Sequence, residues 1–158
     1  MATQYLTISW DAFHRDALTL AARLAMGGPY KGIVAISRGG LVPAAILARA
    51  LKIRIVESVS VVAYDQAGTG AEEALGQPVV TKWPEAAGDG TGFLIVDDLV
   101  DTGTTARVVR EMLPKARFAC VYAKPAGRPL ADHVLTEVSQ DTWIVLPWET
   151  SGDLPQAR

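Results

Sequence analysis

Phe93-Leu94-Ile95-Val96-Asp97-Asp98-Leu99-Val100-Asp101-Thr102-Gly103-Thr104-Thr105 is the stretch on which the fold turns. Its first four residues form an unbroken apolar run, the pattern of a strand buried on both faces. A polar loop follows, and then a helix is predicted from about Thr102 to Leu113, where Pro114 stops it. The same order occurs upstream: Ile33-Val34-Ala35-Ile36 reads as a buried strand, Ser37-Arg38-Gly39-Gly40 as its loop, and Leu41 to Leu51 as a helix. Pro43 is tolerated there because the first turn of a helix has no N–H partner to lose. Further out, Phe13, Ala17, Leu20 and Leu24 repeat at helical spacing between Trp10 and Ala25, with Arg15, Asp16 and Arg23 turned elsewhere. Arg54 to Ala63 and Phe118 to Ala123 read as strands, with Val134 to Val138 and Trp143 to Leu146 as weaker ones. Strands alternating with helices predict an α/β domain with a mostly parallel central sheet flanked by helices.

Residues 65–92 break the pattern. They hold six glycines, two prolines and little apolar periodicity, so a small flexible flap over a single domain spanning 1–158 is expected, with a short hairpin around Val79 and Val80. The 158 residues carry a net charge of -2, which argues against a polyphosphate strand or an anionic membrane as partner. Cys120 is the only cysteine, which removes intrachain disulfides and CxxC metal or redox chemistry and fits a reducing, cytoplasmic setting. Neither a signal peptide nor a membrane-spanning run is read from the sequence. His14 and His133 stand too far from other ligating residues to suggest a metal site, with His14 expected on a solvated helix face. The phosphate and nucleophile motifs of kinases, hydrolases and dinucleotide enzymes are missing.

Ligands of open α/β sheets bind beyond the carboxyl ends of the strands, so the loops after Ile36, Val96 and Ala123 are expected at one crevice. Asp97 and Asp98 can accept hydrogen bonds from vicinal ribose hydroxyls or reach a cation that the ligand carries. Gly103 lets the backbone approach a ligand, and the helix-start N–H groups with the hydroxyls of Thr102, Thr104 and Thr105 suit a phosphate. Asp101 and Thr102 taken alone read as helix caps, but a cap needs one side chain, whereas this loop gathers three carboxylates and three hydroxyls. Ser37-Arg38-Gly39-Gly40 offers a glycine turn and a guanidinium, an anchor for a second anion such as pyrophosphate.

These residues carry a resemblance. From about Trp10 to Trp148 the chain resembles the type I phosphoribosyltransferases, and among them the bacterial xanthine-guanine branch. The likeness rests on Ala35-Ile36-Ser37-Arg38-Gly39-Gly40-Leu41-Val42-Pro43, Val96-Asp97-Asp98-Leu99-Val100-Asp101-Thr102-Gly103, Ala123-Lys124-Pro125-Ala126-Gly127-Arg128-Pro129 and Gln140-Asp141-Thr142-Trp143-Ile144. It implies transfer of a 5-phosphoribosyl group from phosphoribosyl pyrophosphate to N9 of guanine, xanthine or hypoxanthine, with Mg²⁺ and release of pyrophosphate. It places pyrophosphate at Arg38 and Gly39, often across a cis peptide, and the purine at Asp101, Lys124, Trp143 and Ile144, with Asp101 receiving the N7 proton. Asp97 and Asp98 would fix the ribose, Asp98 as the metal neighbour. Lys124 can only donate, which suits a 6-oxo group and rejects adenine; Trp143 offers a flat face, although in isolation it reads rather as a core aromatic.

Homo-oligomers, dimers or tetramers, and peripheral association with the inner membrane are further implications of the resemblance. The chain departs from the family pattern in two places: no arginine lies between Arg54 and Arg107, leaving Lys82 as the positive charge of the flap, and Val145 stands where an acidic residue is usual. The alternatives are a regulator of the same fold that senses phosphoribosyl pyrophosphate, which would call for a basic nucleic-acid surface, and a phosphoribosyltransferase for another base.

Overall fold

The computed structural model describes residues 4–65 and 75–149. In chain order the elements are β1 (Gln4–Thr7), α1 (Trp10–Ala25), β2 (Gly32–Ser37), α2 (Leu41–Ala50), β3 (Val56–Asp65), β4 (Leu75–Lys82), β5 (Phe93–Val100), α3 (Thr104–Met112), β6 (Arg117–Ala123), β7 (His133–Glu137) and β8 (Thr142–Val145). Six strands form one sheet in the order β4-β3-β2-β5-β6-β7. Among the described residues only the β3–β4 pair of this sheet is antiparallel; its other four pairs are parallel, which sets the carboxyl ends of β2, β5 and β6 along one edge.

Alternation along each buried strand feeds two cores. Ile33 and Ala35 of β2 and Leu94 and Val96 of β5 meet Phe13, Leu20 and Leu24 of α1 and Leu47 of α2 on one face. Val34, Ile36, Phe93 and Ile95 turn to the other face, against Val109 of α3 and Leu113 just beyond it. A strand covered on both sides has no reason to alternate with polar residues, hence the continuous apolar runs. Each fully buried Leu or Phe here contributes about 1.5–3 kcal/mol relative to exposure. Helix α1 starts where the Ser9 side chain accepts from Ala12 N–H at 3.1 Å, and it ends before Gly27-Gly28-Pro29. None of the helices among the described residues is long and apolar enough to cross a membrane.

The structure corrects the sequence reading in three places. Strand β5 does not end at Val96: it continues to Val100, with Asp97 paired to Cys120, Leu99 to Tyr122 and Val100 to Ala123. Residues 75–92 are not wholly a flap, because β4 forms the antiparallel edge of the sheet and Ala87, in a 3₁₀ turn at Glu85–Ala87, is buried in the second core; Val79 and Val80 lie within β4. The expected flap at residues 66–74 lies outside the described residues. The strand around Trp143 and Ile144 is not part of the main sheet: β8 pairs in parallel with β1, an element that the apolar pattern does not predict. Off the apolar stripe of α1, Asp16 Oδ2 accepts from the hydroxyl of buried Tyr122 at 2.7 Å, which ties α1 to β6.

Candidate active site

The end of β5 is shaped by its own backbone. Asp98 N–H donates to Asp97 Oδ1 at 2.9 Å, and Leu99 N–H donates to Asp98 Oδ1 at 2.6 Å. Burial pushes the Asp97 carboxyl well above the usual carboxylate range, and the neighbouring Asp98 charge pushes it further. Burial raises Asp98 as well; hydrogen bonding with Asp97 and the Leu99 N–H works the other way, and the Glu149 charge adds to the rise. Both carboxyls are therefore held above the usual carboxylate range, and each makes ionisation of the other harder.

The β2 loop lies directly on this pair. A Cβ built on Gly39 would stand 2.5 Å from both oxygens of Asp98, so no larger residue fits without moving the carboxylate. The peptide between Ser37 and Arg38 is cis, and Arg38 itself is exposed. Gly39 of the Ser37–Gly40 loop thus lies against Asp98. His14, expected on a solvated face, is exposed, and Cys120 is buried.

Helix α3 begins at Gly103, which has φ of 86°, a backbone state open to glycine at little cost. No side chain caps this helix start. Thr102 and Thr104 hydroxyls lie 3.1 Å apart, and a cavity of about 150 Å³ is lined by Asp97, Asp101, Thr102, Gly103, Thr104 and Thr105. That is well below the roughly 300 Å³ at which pockets take a drug-sized ligand, and it suits a phosphate group at a helix N-terminus. A larger groove of about 550 Å³ between α1 and α2, lined by Trp10, His14, Leu41 and Ile46, is mainly apolar and offers no comparable set of donors.

The third loop closes against the first. Lys124 is buried, its N–H donates to Val100 O at 2.9 Å, and its ammonium reaches Asp101 Oδ2 at 2.8 Å. Asp101 Oδ1 accepts from Gln140 Nε2 at 2.8 Å, and Gln140 Oε1 accepts from Ala126 N–H at 3.0 Å. Trp143 is 58% exposed, which disposes of the core-aromatic reading, whereas the Ile144 side chain is buried in the first core and only its backbone is left for a ligand. Gln140 and Glu149 are the two residues here that sequence reasoning missed. Gln140 lies inside a motif already singled out, but nothing in its spacing reveals a partner 39 positions upstream; Glu149 enters only through its charge on Asp98.

A model of the phosphoribosyl transferase domain matches residues 9–153. The chain is 60% identical over 148 residues to the xanthine-guanine phosphoribosyltransferase of Gluconobacter oxydans (strain 621H), covering 93% of this chain and 86% of that protein. It is 57% identical over 143 residues to the protein of the same name from Nitratidesulfovibrio vulgaris (strain DP4), covering 90% and 83%. Among solved structures, the purine phosphoribosyltransferase from Pyrococcus horikoshii Ot3 superposes with a TM-score of 0.77 at 29% identity, over 98% of this chain and 99% of that one. The loops at the carboxyl edge of the sheet are therefore those of a chain that belongs to the phosphoribosyltransferase family.

Proposed function

We propose that the protein transfers the 5-phosphoribosyl group of phosphoribosyl pyrophosphate to N9 of a 6-oxopurine (guanine, xanthine or hypoxanthine), releasing pyrophosphate and a nucleoside monophosphate. The observation that carries this is the Asp101–Lys124 pair at 2.8 Å, because it joins a phosphate-sized cavity to a buried ammonium that can only donate. The names of the bacterial relatives support the choice of bases.

In this reading the hydroxyls and N–H groups from Thr102 to Thr105 hold the 5′-phosphate. Asp97 and Asp98 accept hydrogen bonds from the vicinal ribose hydroxyls. Arg38 and the backbone at Gly39 stabilise the departing diphosphate. Lys124 donates to the 6-oxo group, Trp143 offers an apolar face to the ring, and the Ile144 backbone accepts from the purine edge. Asp101 takes or steers the N7 proton as N9 attacks the sugar.

Magnesium fits this donor set, which is hard oxygen only. Among the described residues no three His, Cys, Asp or Glu side chains gather around one point, so Asp98 would hold the ion together with oxygens of the substrate. When bound, the ion lowers the charge of the diphosphate leaving group.

Turnover with Mg²⁺ and phosphoribosyl pyrophosphate, measured in parallel with guanine, xanthine, hypoxanthine and adenine, tests the proposal. Nucleotide formation with guanine and xanthine and none with adenine is expected. Turnover of adenine alone, or binding of phosphoribosyl pyrophosphate without turnover of any base, would overturn it.

A further inference from the structure

We infer that Gln140 is the positioning residue that keeps Asp101 aimed at the base while Lys124 is drawn toward it. This rests on the base-binding roles of Asp101 and Lys124 given above. The two oxygens of Asp101 are divided: Oδ2 accepts from the Lys124 ammonium and Oδ1 from the Gln140 amide, each at 2.8 Å. A purine carbonyl that accepts from another of the three Lys124 N–H groups draws the ammonium toward the base and weakens one of those restraints. Asp101 is then the group that must not move, since a carboxylate oxygen has to meet the N7 edge of the ring.

Gln140 is built to supply the restraint that remains. Its amide has one donor end and one acceptor end, and both are used: Nε2 toward Asp101 and Oε1 toward the Ala126 N–H at 3.0 Å. The orientation is fixed by chemistry, because a flipped amide would set its oxygen against the Asp101 carboxylate and its NH₂ against another N–H. One neutral side chain thereby links three connections, those after β5, after β6 and between β7 and β8, the last of which leads into Trp143 and Ile144. Neutrality matters: an ammonium at the same place would compete with the base for Asp101, whereas an amide orients the carboxylate and leaves its charge in place.

Two substitutions separate this role from that of a simple tether between loops. Gln140→Glu keeps an oxygen for Ala126 N–H but replaces the donor facing Asp101 with a like charge. Gln140→Ala removes both bonds and introduces no charge. If Gln140 positions Asp101, Glu is the more damaging, lowering kcat by about tenfold or more with the KM for phosphoribosyl pyrophosphate within about twofold of the wild type. If the tether were the whole role, Ala would be the more damaging and Glu nearly silent, and the inference would be overturned.

Both variants are also combined with Asp101→Asn. A double variant no slower than Asp101→Asn alone supports action through Asp101, whereas losses that multiply would overturn it. Wild-type turnover in Asp101→Asn by itself would sink the assigned role of Asp101, a failure distinct from that of Gln140. Melting temperatures of all variants confirm that folded protein is compared.

Discussion

The two halves of the site are held in different ways. At the end of β5, Asp97 and Asp98 accept hydrogen bonds from the next residue's own N–H, and the backbone under them is part of the central sheet. At the opposite side, Lys124, Asp101 and Gln140 come from three separate connections and hold one another through side chains. The first arrangement is made as soon as the strand is paired; the second exists only when three loops are already in place. Under the proposed function, the half built on the sheet would hold ribose, phosphate and diphosphate, and the half built from loops would hold the base.

The sharpest way to break this contrast is Gly39→Ala. The added methyl would stand 2.5 Å from both oxygens of Asp98, so the buried carboxylate or the loop above it has to shift. The expected result is a fall in kcat/KM for phosphoribosyl pyrophosphate of about a hundredfold, the scale of a displacement near 1 Å at a reacting centre. Steady-state kinetics and a melting curve check it. Activity within a few fold of wild type would mean that the strand end is not rigid.

A smaller and more selective effect is expected on the other side. Lys124→Met keeps the length and apolar contacts of the buried stem but removes the donor. The lost hydrogen bond involves a charged group, worth about 1.5–3 kcal/mol, so kcat/KM for guanine should drop roughly ten- to a hundredfold. The KM for phosphoribosyl pyrophosphate should stay within about twofold. Equal damage to both substrates would show that the halves act as one unit.

The same contrast explains how much could be read from sequence. Strands β2, β5 and β6 announce themselves because burial on both faces leaves only apolar residues, and α1 does so through its helical period. The β5 loop is legible because its functional groups are neighbours in the chain. Strand β1 is exposed along its length and pairs only with β8, so it has no pattern to detect. Strand β4 is an edge strand containing Pro78, which suppresses strand propensity yet is tolerated where no second neighbour needs the N–H. The extension of β5 through Asp97 and Asp98 was hidden for a related reason: carboxylates are poor strand formers, and pairing with β6 overrides that preference. Lys124 was found through its motif, but its bond to Asp101 and the bridge by Gln140 are tertiary facts. Asp16 is the same case, a polar residue on a helix whose partner Tyr122 lies 106 positions away.

The smallest effect expected is also the most discriminating for the purine side. In the connection between β7 and β8, Ser139 Oγ lies 2.6 Å from both Asp141 Oδ1 and Thr142 Oγ1. Ser139 has one hydroxyl proton; the carboxylate must receive it, so the Thr142 hydroxyl donates to Ser139. Ser139→Ala deletes both bonds, but the backbone bond from Thr142 N–H to Ser139 O at 3.1 Å still closes the turn. With local bonds secondary to the cross-loop contacts of Gln140 and Lys124, the variant should raise the KM for guanine by about two- to fivefold and leave kcat unchanged. A fall in kcat as large as that of Gln140→Glu would place the control of Asp101 in this turn, and the purine half would then be locally anchored after all.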